Sequence, residues 1–236
     1  MEFFDILLSF VTLTILEVVL GIDNLVFLAI ISQRLPKDQQ AKARRLGLTF
    51  AWVTRLLLLA SAIWLTKLTR PLFTLSGMPF SGRDIFLILG GLFLLAKSTQ
   101  EIHAEIEPEP QKHEVTKKSA GFKMVVVQIA LLDIIFSLDS VLTAIGLTQR
   151  FWLMAAAITI AIIAMLFASE PLSRFVEKHP TIKMLALSFL ILIGMVLIAD
   201  GFEFHIPRGY IYFSMGFSLF VESLNMIVRK RRGQSS

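Results

Sequence analysis

Four carboxylates stand inside stretches that are otherwise apolar: Glu17 and Asp23 in EVVLGIDNLVFLAI, and Asp133 and Asp139 in LLDIIFSLDSVLTAIG. A charged side chain at the centre of a bilayer costs at least about 2.5–3.5 kcal/mol. Four such groups therefore call for a chemical reason. A proton on each acid would remove the penalty, and so would a cation held between them. Like charges in one site repel, and a metal ion cancels that repulsion directly. Asn24 follows Asp23 and Ser140 follows Asp139, so the donors on offer are carboxylate, amide and hydroxyl oxygens. Such hard ligands suit magnesium, calcium and manganese. The chain has no cysteine, and no histidine falls within an apolar stretch, which argues against copper or thiolate-bound zinc.

Spacing limits how these groups can converge. Glu17 and Asn24 are seven residues apart, about 20° from eclipsed on an ideal helix, and Asp133 and Ser140 repeat that interval. Glu17 and Asp23 are six apart, about 120° round the axis and about 9 Å along it. A regular helix cannot aim both acids of a pair at one ion, although different helices can supply different sides of a site. Gly21 and Ser137 lie between the acids and are where an unwound or bent turn would free backbone carbonyls as ligands. Arg55, the sole base deep inside an apolar stretch once Lys97 at the end of its own block snorkels to the interface, is an accessory candidate that either neutralises an acid or helps release the ion. Glu222 and Asn225, one turn apart in FSLFVESLN, are the other accessory candidates. Glue between helices is the competing explanation for the four acids, but four carboxylates lack matching donors.

The elements that position these residues are membrane spans. The chain has 236 residues, 55% hydrophobic and 17% charged, with net charge +5. That apolar content is too high and too blocky for one soluble core, and it excludes a disordered chain or a disulfide scaffold. Seven apolar blocks cover residues 6–31, 46–66, 84–100, 124–146, 151–169, 184–202 and 210–228. A helix of about 20 residues crosses the hydrocarbon layer. Glu170-Pro171 reads as the stop of the fifth block. With the N-terminus outside and the C-terminus inside, 17 basic residues fall in inner segments and 5 in outer ones. This asymmetry is the positive-inside pattern, so the basic surplus reports orientation rather than a nucleic-acid partner. The acidic start MEFFD and the long first block, interrupted by Glu17, predict a retained helix rather than a signal peptide. Asp200, Glu203 and His205, and Glu101 with His103, fall at span ends on opposite faces.

The chain also repeats itself. Glu17–Leu25 and Asp133–Val141 align at a constant offset of 116, carboxylate with carboxylate, small with small and apolar with apolar. LGGLFLLAKSTQEIH in the third block echoes LIGMVLIADGFEFH in the sixth. Three spans per copy is an odd number, so the second copy must enter the membrane from the other face. The expected fold is all-α: an inverted pair of three-helix units, residues 1–100 and 124–205, joined by a cytoplasmic loop at 101–123. A seventh helix follows at 209–228, and the whole is a single membrane domain. Inverted repeats recur in secondary transporters, with the site near the midplane.

Together, EVVLGIDNLVFLAI and LLDIIFSLDSVLTAIG resemble the two signature helices of the TerC family of bacterial integral membrane proteins. ARRLGL, KMLALSFLILIG and GYIYF…FSLFVESLN resemble its short seven-helix branch. The resemblance covers nearly the whole chain. It implies a multi-pass protein of the bacterial inner membrane and a metal-ion transport role, since several members are regarded as manganese exporters. It further implies that Glu17, Asp23, Asp133 and Asp139, with Asn24 and Ser140 beside them, bind or conduct the metal. The expectation is Mn²⁺ export, with protons as a coupling ion, no tightly bound cofactor and no enzymatic activity. The alternative is a non-transporting membrane interaction subunit serving an envelope or tellurite stress response. An intramembrane hydrolase is remote, because no HExxH or comparable arrangement is present.

Overall fold

A computed structural model describes residues 2–61, 68–75, 77–107, 121–147 and 150–233; the side chains of 2, 3, 75, 139, 140, 142–147, 208 and 230–233 fall outside that description. The elements run α1 (Glu2–Ser32), α2 (Lys37–Ala60), β1 (Pro71–Leu75), β2 (Met78–Ser81), α3 (Gly82–Ile106), α4 (Phe122–Leu147), α5 (Phe151–Lys178), α6 (Pro180–Gly201) and α7 (Arg208–Gly233). Among the described residues, five stretches are long and apolar enough to cross a membrane: Phe4–Ser32, Gly82–Ile106, Phe151–Lys178, Pro180–Gly201 and Gly209–Arg229. With α2 and α4 between them, the molecule is an all-α polytopic membrane protein.

Local signals set several helix ends. Ser81 caps α3: its hydroxyl accepts from the Asp84 amide at 3.3 Å, and Asp84 accepts from the Ser81 amide at 2.8 Å. This reciprocal capping box satisfies two amides that the first turn would leave bare. Pro180 opens α6, where a missing N–H does no harm. Two helix ends and one added element differ from the sequence expectation. α3 runs on to Ile106, so Glu101 is a buried helical residue ion-paired with Arg34 rather than part of a loop. Pro171 does not stop α5, which continues to Lys178. The antiparallel hairpin β1–β2 was not anticipated; its turn uses Gly77 at φ 84°, left-handed backbone that glycine adopts without steric cost.

Helix pairing has a partial symmetry. The most extensive interfaces are α3 with α6, α1 with α5, and α2 with α4, followed by α2 with α5 and α1 with α4. Exchanging α1–α3 for α4–α6 in order turns the α1–α5 interface into the α4–α2 interface and maps the other three onto themselves. At the centre of the α3–α6 contact the relation is nearly reciprocal. A Cβ on Gly91 would lie 2.5 Å from the Gly194 carbonyl oxygen, and one on Gly194 would lie 3.0 Å from the Gly91 carbonyl. Small residues at such crossings let backbones approach where lipid offers no hydrophobic drive for association.

That geometry predicts a graded result. Gly91→Ala pushes a methyl into a fixed backbone carbonyl, so it should destabilise by about 1–3 kcal/mol or more, as overpacking does. Gly21→Ala meets the Met165 thioether at 2.6 Å, the mobile part of a flexible side chain, and should be milder. Thermal unfolding of the detergent-purified variants checks the order; equal losses would contradict it.

The expected unwound turn is absent. α1 passes through Gly21, and α4 through Ser137, as continuous helix. Gly21 serves instead to bring α1 close to Met165 of α5. The buried Ser137 hydroxyl donates to the Ile134 carbonyl of its own helix at 3.3 Å.

Candidate metal centre

The acids of the two repeated segments meet through one arginine. Arg55, from α2, is only 1% exposed, as are Glu17 of α1 and Asp133 of α4. Its Nη1 donates to Glu17 Oε2 at 2.8 Å and its Nη2 to Asp133 Oδ1 at 2.9 Å, with Nε 3.3 Å from the same Oδ1. Asn24, one heptad along α1 from Glu17, turns its amide onto Asp133 Oδ1. The Thr54 hydroxyl reaches Asp133 Oδ2 at 3.5 Å. Three helices thus converge on a buried centre, α1 contributing Glu17 and Asn24, α2 Thr54 and Arg55, and α4 Asp133.

Two acids face one guanidinium, so the centre carries a formal excess of one negative charge when both are ionised. One carboxylate oxygen, Glu17 Oε1, is buried with no hydrogen-bond partner among the described residues. Burying an acceptor without a partner is costly. A centre with surplus negative charge and a spare hard oxygen has the donor chemistry of a magnesium-, calcium- or manganese-type ion.

Asp23 points elsewhere, as its 120° offset from Glu17 requires. It lines a cavity of about 50 Å³ with Asp200 of α6 and Tyr212 of α7; Glu17 and Asp133 are not in that lining. Asp200 is buried in the last turn of α6. The side chains of Asp139 and Ser140 lie outside the described residues, although both positions are helical. Glu222 and Asn225 are joined to each other at 3.3 Å on α7, and Glu222 accepts from Thr181 in the first turn of α6. Neither is among the hydrogen-bond partners of Arg55, Glu17 or Asp133 described above; Glu222 links α7 to the start of α6. Among the described residues, no three carboxylate or imidazole groups gather as a preformed metal cage.

A second polar constellation lies at the end of the bundle where the α1–α2 and α5–α6 connections fall. Buried Arg44 of α2 pairs with Glu170 of α5, and its Nη1 lies 3.3 Å from Ser173 Oγ and 3.4 Å from Ser32 Oγ. Arg34 pairs with Glu101, Lys183 with Glu105 at 2.6 Å, and Lys37 with Glu177 at 3.7 Å. Each of these pairs ties two different helices together at this end of the bundle. Thr54 and the Arg44–Glu170 clamp were missed from sequence. Thr54 is inconspicuous beside Arg55, and Glu170 was read through its neighbouring proline.

The model of the integral membrane protein TerC family matches residues 4–235. The chain is 54% identical over 220 residues to the UPF0053 inner membrane protein YgdQ of Escherichia coli, covering 93% of this chain and 92% of that one. Identity to a UPF0053 protein of Haemophilus influenzae is 49% over 223 residues, 94% of each chain. With the UPF0053 inner membrane protein YoaE of Escherichia coli it is 50% over 219 residues, which is 93% of this chain but 42% of that longer protein. No solved structure matches.

Proposed function

The chain belongs to the TerC family of integral membrane proteins, a multi-pass protein of the bacterial inner membrane, and from that premise we propose that it exports Mn²⁺ from the cytoplasm. The observation that carries the proposal is the meeting of Glu17 and Asp133, one acid from each repeated segment, on buried Arg55 with a carboxylate oxygen to spare.

In this reading Arg55 is an internal stand-in for the cargo. An arriving divalent ion takes the two carboxylates, with the Asn24 amide oxygen as a neutral ligand once its side chain turns over. The guanidinium is displaced. When the ion leaves, Arg55 returns and no buried acid is left bare, which keeps both end states of the cycle close in energy. Asp23 and, through the repeat, Asp139 with Ser140 are the flanking oxygen donors that pass the ion towards and away from the centre. Protons exchange for the ion, because a carboxylate that gives up a metal can take one. The scaffold is an inverted 3+3+1 arrangement with the N-terminus outside and the C-terminus inside, and the halves rock about the glycine crossing of α3 and α6. The protein is a transporter and not an enzyme.

Purified protein in sealed liposomes should pass Mn²⁺ down an imposed gradient, and Asp23→Asn should abolish the flux. The same assay run with Mg²⁺, Ca²⁺ and Zn²⁺ ranks selectivity, with Mn²⁺ first. Flux that is equal in wild type and the carboxylate variant would sink the proposal.

A further inference from the structure

The last turns of α5 carry an open surface pocket bordered by Glu170, Pro171, Arg174, Phe175, Lys178 and His179. α5 has 28 residues and is therefore about 42 Å long, more than the roughly 30 Å hydrocarbon layer, so its end reaches headgroup depth. Ile160, Ile163, Phe167, Pro171, Arg174 and Lys178 recur at intervals of three and four and make one face of the helix. The upper part of that face is exposed and apolar, with Phe167 79% exposed. Such a face meets lipid acyl chains. The same stripe ends in two cations.

The charge balance of the pocket is positive. Its one acid, Glu170, is already held by Arg174 Nε at 3.0 Å and by Arg44 from behind. Lys178 has no ion-pair partner among the described residues. Phe175 and His179 form a wall with ring centroids 4.5 Å apart, and His179 Nδ1 lies 2.8 Å from the Phe175 carbonyl, which fixes the imidazole in place. A lipid-facing stripe leading to an open, basic pocket flanked by Phe175 and His179 at headgroup depth matches one ligand: a phosphodiester with acyl chains attached.

We infer that this open pocket is a binding site for the headgroup of an anionic phospholipid, with Arg174 and Lys178 on the phosphate. Phe175 and Pro171 face the glycerol, and Phe167 and Ile163 lie along an acyl chain. The site is independent of the Arg55 centre. An occupied site also bears on the α2–α5 clamp, since the phosphate competes with Glu170 for Arg174 and leaves Glu170 to Arg44 alone.

The test titrates the detergent-purified full chain with phosphatidylglycerol, phosphatidylcholine or inorganic phosphate and counts bound lipid by native mass spectrometry. Phosphatidylglycerol should bind in preference to phosphatidylcholine. Arg174→Gln with Lys178→Gln should weaken it about thirtyfold, roughly fivefold for each cation removed near a headgroup. Arg174→Lys with Lys178→Arg, which keeps both charges, should retain the preference. So should Lys42→Gln with Arg45→Gln, two exposed cations of α2 outside the pocket. An equal loss in the Lys42 and Arg45 control, no preference for the anionic lipid, or displacement of the lipid by inorganic phosphate would overturn the assignment.

Discussion

Replacing Arg55 with methionine should destabilise the protein by about 3–5 kcal/mol, because it strands two buried carboxylates with no counter-charge. Glu17 and Asp133 are each 1% exposed and cannot recover hydration by moving to a surface. Adding Glu17→Gln and Asp133→Asn to the Arg55→Met chain should restore most of the lost stability, since replacing a whole buried ionic group is far less costly than breaking it. Thermal unfolding of the three proteins in detergent, together with the fraction eluting as a folded species, reads the comparison. If Arg55→Met unfolds at the wild-type temperature, the arginine is not what neutralises these acids.

Asp133→Asn should behave in the opposite way: stable and inactive. The substitution removes the surplus negative charge and leaves Arg55 and Glu17 as a balanced pair at 2.8 Å. The asparagine oxygen still accepts from Arg55, so stability should stay within about 1.5 kcal/mol of wild type, the scale of one hydrogen bond. Transport should fall much further. Changing the groups that merely support metal ligands typically costs about 10–100-fold in affinity or activity, and a carboxylate on the ion itself should cost at least as much. Mn²⁺ flux in liposomes therefore drops by about tenfold or more while the unfolding temperature holds. A variant that is both stable and active would mean that Asp133 is a structural partner of Arg55 and nothing more.

The polar centre was largely legible in the sequence. Charges inside apolar spans must face protein, so the positions of Glu17, Asp133 and Arg55 announced an interior site. The sequence reading placed Asp23 in one metal set with Glu17 although helical arithmetic puts them about 120° apart, and the structure turns them towards different places. Packing was less legible. Gly21 looked like a hinge because glycine breaks helices in isolation, but in the bundle its missing side chain admits Met165. Glu170-Pro171 looked like a stop for a related reason. A proline removes one N–H, which a helix clamped through Arg44 and buried along one face can absorb. The hairpin β1–β2 escaped notice because two strands of five and four residues leave a short alternation beside long apolar runs. The reciprocal glycine contact of α3 and α6 needed three dimensions: the echo between the two segments was visible, but not that the echoing residues touch.

The account stands most directly on where the ion sits. Crystals of the protein loaded with Mn²⁺, measured at a wavelength where manganese scatters anomalously, should show a peak between the carboxylates of Glu17 and Asp133. Oxygen distances should lie between about 2.0 Å, as for magnesium, and about 2.6 Å, as for calcium. Arg55 should have swung off both acids. An anomalous peak confined to the Asp23–Asp200 cavity, with Arg55 still bridging Glu17 and Asp133 as it does now, would contradict the exchange of arginine for metal.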